Sequence, residues 1–530
     1  MSTSPDVAAI TKGYTFDTPA IDLGVLVDGA PVPEAKIRIS LSMLNRHGLV
    51  AGATGTGKTK TLQLMAEQIA RAGVPVFAAD IKGDLSGIAL PGTSSEKLLA
   101  RTAAIGQKWE PHGCPVEFYA LGGQGTGVPL RATISSFGPI LLSKVLGLNE
   151  TQESTLGLVF HYCDTQGLPL LDLADLRTVL GYLTSEEGKG DLKQLGGVSS
   201  ATAGVILRSL VTLQTQGGDE FFGEPEFDSR DLLRTTSDGQ GVISLLELPN
   251  LHDRPAIFST FLMWLLADLF HDLPEVGDTD RPKLVFFFDE AHLLFTDASK
   301  AFLQAIAQTV RLIRSKGVGI FFVTQTPKDV PEEVLAQLGS RVQHQLRAHT
   351  PNDAKALKAT VATYPNSGYE LAEVLQSLGI GEAIVTVLNP SGAPTPVAWT
   401  RMRAPEASMD PMDPQMMAGG VAQSGMMRKY GQPINRDSAY EMLTRKLEDG
   451  RAAAAAEADR AAREKAAAAE AKAREKEMAG QARSQPRTTP SRPAPKSGVE
   501  KVLSSPTFWN KVITVGGEIA RGMMGTGRKR

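Results

Sequence analysis

Cysteine is nearly absent from this 530-residue chain. Its two copies, Cys114 and Cys163, do not stand at a spacing that a metal site uses. They read as buried apolar thiols rather than redox or ligand groups. Long apolar runs are missing too. No stretch approaches the ~20 residues that span a bilayer. Residues Met1–Tyr14 hold no basic region followed by an apolar stretch, so a secretory signal is not expected and the expected location is cytoplasmic. None of the eight histidines, from His47 to His349, has an acidic or Cys partner at metal spacing. His292, just after an acidic pair, reads as a polar residue at a helix start. No Ser/His/Asp hydrolase pattern, dinucleotide fingerprint or internal repeat is evident.

An excess of positive charge is also lacking. The formal net charge is −3, and it is unevenly spread. Residues 437–530 hold 19 Lys and Arg against 12 Asp and Glu, while residues 1–436 hold the other 36 basic and 46 acidic residues. A broad basic face for nucleic acid is thereby excluded from the body. Any grip on DNA must lie in a local channel or in the tail.

What is present is an ordinary globular composition, 42% hydrophobic and 21% charged, in a chain long enough for a large α/β domain with additions. Residues 1–45 include the strand-and-turn signal Gly24-Val-Leu-Val-Asp28-Gly29 and read as a short β-rich preface. Apolar strand patterns then alternate with helical ones. They fall at Gly48–Ala51, Val74–Ala79, Val116–Leu121, Gly241–Leu248, Leu284–Phe288, Val318–Thr324 and Arg341–Leu346. The alternation predicts an α/β fold with a mainly parallel sheet, its halves at 46–134 and 236–403. Residues 135–235, mostly helical in pattern, read as a helical insertion between them. Residues 404–436, rich in Met, Gly and Pro, read as a linker. Residues 437–483, dominated by Ala and charge, predict a long polar helix in the C-terminal tail. A Pro-rich linker over 484–505 and an amphipathic basic tail over 506–530 follow, the latter with Phe508, Val512, Val515, Ile519 and Met523 on one stripe.

The chemistry concentrates in a few segments. Gly52-Ala53-Thr54-Gly55-Thr56-Gly57-Lys58-Thr59 fits the P-loop pattern between a strand and a helix. Its glycines let backbone N–H groups turn toward phosphate, and the following helix adds its positive end. Lys58 is expected to neutralise the β- and γ-phosphates of ATP, and the Thr59 hydroxyl to hold Mg²⁺. Lys60 completes the expected nucleotide-binding run. Leu284-Val-Phe-Phe-Phe288 reads as a fully buried strand that delivers Asp289 to the metal and Glu290 to the attacking water. Gln325, at the end of another apolar strand, is placed to sense the γ-phosphate or orient water; a plain strand-ending polar residue is the alternative. Asp80-Ile-Lys82-Gly83-Asp84 either faces the ligand crevice or forms a loop salt bridge. Arg311 and Arg314 lie one turn apart on a helix. Either one is an arginine finger for a neighbouring subunit, or both are solvated charge.

In order and spacing these segments resemble the HerA-like branch of the FtsK/HerA ring ATPases, nearest the YjgR-like subfamily, over roughly residues 20–400. The resemblance rests on the segments from Asn45 to Thr59, Asp80 to Gly87, Phe287 to Leu294 and Val310 to Thr326. It implies a RecA-like P-loop NTPase core, Mg²⁺-dependent ATP hydrolysis, a hexameric ring and an arginine finger at Arg311 or Arg314. It also implies a helicase-like motor on DNA. Two other functions fit the residues. One is an ATPase switch or scaffold on a protein partner recruited through the C-terminal tail. The other, less favoured, is an ATPase at a membrane surface through the terminal stripe, where Gly516 and Gly517 weaken an isolated helix.

Overall fold

The computed structural model describes residues 6–482 apart from 124, 192–195, 249–254, 278 and 296–299. The Pro-rich linker and the amphipathic tail expected over 484–530 lie outside the described residues. The chain divides into two units, Met1–Glu448 and Asp449–Arg530.

The first unit is built on one twelve-stranded sheet. Its strands are β1 (Ala20–Asp28), β2 (Ala30–Ser40), β3 (Gly48–Ala51), β4 (Val76–Asp80), β5 (Val116–Leu121), β6 (Val128–Leu130), β7 (Ile243–Glu247), β8 (Leu284–Phe288), β9 (Val318–Thr324), β10 (Ser340–Gln343), β11 (Glu382–Thr386) and β12 (Ala398–Met402). The spatial order is β2-β1-β12-β11-β10-β3-β9-β8-β4-β7-β5-β6. The eight strands from β10 to β6 run parallel, and β11, β12, β1 and β2 extend the sheet antiparallel. The central strands are buried along their whole length, as β3, β4, β8 and β9 show. Unbroken apolar runs such as Leu284–Phe288 suit strands covered on both faces. Phe77, Phe286 and Phe288 pack ring on ring there, and Phe287 stacks on Phe321.

Helices Ile134–Val145, Glu150–Gln166, Leu173–Thr184 and Ser200–Leu213 enter between β6 and β7, where the helical pattern placed an insertion. Asn149 and Asp172 cap two of them with reciprocal capping boxes.

Two boundaries drawn from composition fall inside packed structure. The hairpin of β1 and β2, expected as a preface, joins the main sheet through the Gly24–Met402 pairing with β12. Residues 404–436, expected as a linker, carry helices Pro414–Gln423 and Gly425–Tyr430. Tyr430 is buried, and its hydroxyl accepts from the Asp228 amide at 3.1 Å and donates to Asp231 at 2.5 Å. Met, Gly and Pro made this stretch look irregular; long-range contacts order it.

The long polar helix is present as Ala439–Ala482. Its start packs within the first unit, with Ala439 and Leu443 buried. In the second unit the described residues continue this helix, and residues 449–478 are exposed all round. Among the described residues, no helix is long and apolar enough to cross a membrane.

Candidate functional site

Sheet register brings the separate motifs to one edge. Ala51 of β3 pairs with Thr324 of β9, Phe288 of β8 with Phe322 of β9, and Ala79 of β4 with Phe288. The residues that follow are Gly52, Gln325, Asp289 and Asp80, so all four emerge at the carboxyl edge of neighbouring parallel strands. This is where open α/β sheets bind ligands.

The P-loop is anchored by its own backbone. Gly52 N donates to Thr324 O at 3.2 Å and Ala53 N to Gln345 O at 2.8 Å. Thr56 Oγ1 donates to Ala53 O at 2.7 Å. Gly57 has φ 115°, a conformation that favours glycine, and it starts helix Lys58–Arg71. The first turn of any helix leaves its N–H groups without intrahelical partners, so Lys58, Thr59 and Lys60 present amides suited to an anion. Thr54 and Gly55 are exposed at the rim.

Lys58 is buried, and Nζ donates to Ala53 O at 3.3 Å. Burial holds its ammonium below the usual lysine range, with Lys82 acting the same way and Glu290 and Asp289 opposing. A partly desolvated cation gains most from an incoming anion. Lys60 instead donates its ammonium to Met409 O, so its side chain joins the protein frame.

Asp289 is buried, and its Oδ1 accepts from Glu290 N at 2.9 Å. Burial pushes its carboxyl up to about 6. Its Oδ2 has no hydrogen-bond partner. A buried carboxylate oxygen left open fits a cation ligand. Among the described residues no group of three or more His, Cys, Asp and Glu could hold a metal by itself.

Glu290 has φ 45°, in the left-handed region that non-glycine residues seldom adopt. Such strain persists where the surroundings fix it, often at functional positions. Its Oε1 accepts from Lys82 Nζ, and its Oε2 lies 3.2 Å from His292 Nδ1. Burial pushes the Glu290 carboxyl up, but Lys82, His292 and Lys58 together outweigh that and hold it below the usual carboxylate range.

Lys82 unites the two readings left open by its sequence. The loop does form a salt bridge, and the bridge is to the candidate general base. Asp80 shapes the loop by accepting from Gly83 N at 2.7 Å and Leu85 N at 2.8 Å. A buried histidine, His344, supports the P-loop helix in a way the sequence did not signal. Its Nδ1 donates to Glu382 O at 2.8 Å, so the neutral ring's Nε2 accepts from Thr61 Oγ1 at 2.9 Å. Burial lowers this imidazole to about 4. Only the packing of β10 beneath the loop reveals it.

Gln325 is exposed and lines a cleft of about 340 Å³ with His292, Phe295, Thr326 and Asp329. Asp329 fixes the turn behind it by accepting from Thr326 N and Thr324 Oγ1, both at 2.9 Å. Arg311 and Arg314 are not brought to this edge. Both are exposed, on helix Lys300–Ile313 and the turn after it, and they precede the start of β9. The length of β9, roughly 20 Å, separates its start from Gln325.

The family described as helicase HerA-like C-terminal matches residues 27–530. The chain belongs to that family. It is a P-loop NTPase of the HerA-like helicase group. Curated relatives include the "DNA double-strand break repair helicase HerA" of Saccharolobus solfataricus. That protein is 23% identical over 354 residues, which cover 66% of this chain and 63% of the relative. The protein of the same description from Sulfolobus acidocaldarius is 21% identical over 387 residues, covering 71% and 69%. This HerA-like chain therefore spans less than two thirds of the first relative's length. Among solved structures, the bacterial conjugative coupling protein TrwBdeltaN70 aligns with TM-score 0.50 and 14% identity over 77% of this chain and 94% of that one. TrwB in complex with the non-hydrolysable ATP analogue ADPNP also gives 0.50, at 15% identity. At those identities the likeness is one of fold.

Proposed function

We propose that the chain is a Mg²⁺-dependent ATPase that works as a ring-forming motor on DNA. The observation that carries the ATPase reading is the meeting at one sheet edge of Lys58, which follows β3, and the adjacent pair Asp289 and Glu290, which follows β8. The P-loop amides and Lys58 bind and orient the phosphates. Thr59 and the open Oδ2 of Asp289 would hold Mg²⁺, which when bound draws charge from the β- and γ-phosphates. Glu290 takes the proton of the attacking water, and Gln325 holds that water in line.

The motor reading comes from the family and from the helicase relatives described above. A ring would also explain Arg311 and Arg314. At the far end of β9 they cannot serve their own P-loop, but a neighbour in a head-to-tail ring can receive them. Hexameric assembly is the reading carried over from the resemblance.

A second reading is favoured by the acidic body. Residues 1–436 carry ten more acidic than basic residues, which suits an ATPase acting on a protein partner without DNA, recruited through the tail. ATP turnover measured with and without single- and double-stranded DNA, at two salt concentrations, separates the two. Salt-sensitive stimulation supports the motor. Unchanged turnover supports the protein-partner reading.

A further inference from the structure

We infer that Lys82 is a positioning residue that exchanges partners, giving up the Glu290 carboxylate to take the γ-phosphate when a nucleoside triphosphate binds. The inference rests on the P-loop reading above.

The two ends of this ion pair are held very differently. Glu290 is fixed by a buried strand end and an unusual backbone angle, and its side chain is 6% exposed. The Lys82 side chain is 42% exposed. Its loop is anchored at the root, because Asp80 accepts from Gly83 and Leu85 and Gly83 turns with φ 72°. What remains free is a four-carbon stem carrying a compact cation. The pairing of β4 with β8 sets that stem beside the carboxyl edge where the P-loop opens.

The local charges make the exchange favourable. Burial lowers both ammonium groups, and Lys82 lowers that of Lys58 further, while Glu290 and Asp289 act on both in the opposite sense and Asp84 joins them at Lys82. A triphosphate brings several negative charges into this cluster. Both ammonium groups then have a stronger partner than a single carboxylate, and a mobile Lys82 can reach for it. The consequence lies at Glu290. A carboxylate held by an ammonium is a weak proton acceptor and is turned toward the wrong partner. Released from Lys82, and with His292 at 3.2 Å as its other neighbour, it is free to receive water. Triphosphate binding would thereby complete the catalytic arrangement, whereas a diphosphate would not.

Acylation of Lys82 by an amine-selective reagent, read by peptide mass spectrometry, tests this without turnover. Glu290→Gln should speed labelling of Lys82 several-fold by removing its partner. ADPNP with Mg²⁺ should protect Lys82 in both proteins, and ADP with Mg²⁺ should not. A second arm uses affinity. Lys82→Met should weaken ADPNP binding about tenfold and leave ADP within about twofold, with Lys82→Arg restoring the difference. Equal loss of both nucleotides, or identical labelling with ADPNP and ADP, would reduce Lys82 to a structural tie and overturn the exchange. If the unaltered protein binds neither nucleotide, the P-loop reading fails instead.

Discussion

The Glu67 carboxylate, on the P-loop helix, accepts the backbone N–H of Glu406 at 3.0 Å from both of its oxygens, and that of Ala407 at 3.1 Å. It is one of several ties from this helix to residues 406–409. Gln63 donates to Ser408 O, Lys60 to Met409 O, and Arg71 pairs with Glu406 at 2.7 Å. The helix that positions Lys58 is therefore strapped along its length by a stretch more than 300 residues later.

Burial of Glu67 gives a pH signature, which the N–H groups of the strap oppose without cancelling. Burial pushes Glu67 from 4.5 up to about 7. Its protonated form is the one favoured by the fold, so its contribution to stability is complete below about 4.5 and is lost as pH rises through about 7. The full difference is about 3 kcal/mol at most. Glu67→Gln stays neutral throughout. Melting temperatures taken at pH 5 and pH 8 should show the unaltered protein losing ground to Glu67→Gln as pH rises. A constant gap would mean that Glu67 is ionised in the fold across that range.

Lys58→Ala should weaken ATP binding by about 10²-fold, because it removes the desolvated cation facing the phosphates. Fluorescent-nucleotide titration reads this directly. Unchanged affinity would remove the P-loop assignment.

Glu290→Gln should slow hydrolysis by 10²-fold or more, on the order expected for a lost general base, while ATP remains bound. Single-turnover measurement separates the two quantities. Turnover at the rate of the unaltered protein would assign the water to another group.

For the arginines the decisive experiment is mixing. Arg311→Ala or Arg314→Ala subunits, added to unaltered protein, should depress its turnover, because each supplies a defective finger to an intact neighbouring site. A finger in trans contributes on the order of 10³-fold. Turnover of the unaltered protein should also rise with concentration until rings are complete. Concentration-independent turnover with both variants fully active would leave the arginines as surface charge.

Truncation distinguishes the start of the long helix from its continuation. Ala439 N donates to Pro169 O at 2.9 Å, Tyr440 N donates to Asp175 at 2.8 Å, and Leu443 is buried. A chain ending at residue 436 should therefore melt a few degrees below one ending at residue 448. Equal melting temperatures would show that these contacts contribute nothing to the body.

The sequence by itself determined the parallel core, the helical insertion and the P-loop. These follow from local causes: apolar runs short enough for strands, helical periodicity, and a glycine spacing whose backbone demands are read residue by residue. Asp289 and Glu290 stand out as candidates for the same reason, as an acidic pair closing five apolar residues. Only the tertiary structure decided which charges meet. Lys82 and Glu290 lie 208 residues apart, and Glu67 and Glu406 lie 339 apart. No pattern in either segment names its partner. The same reason explains the strand pair β1–β2 and the stretch after residue 403, whose order comes from pairing with distant backbone rather than from their own composition. It also explains His344, an unremarkable histidine in sequence. The order of strands in the sheet puts it beneath the helix that follows the P-loop, and burial there holds it neutral.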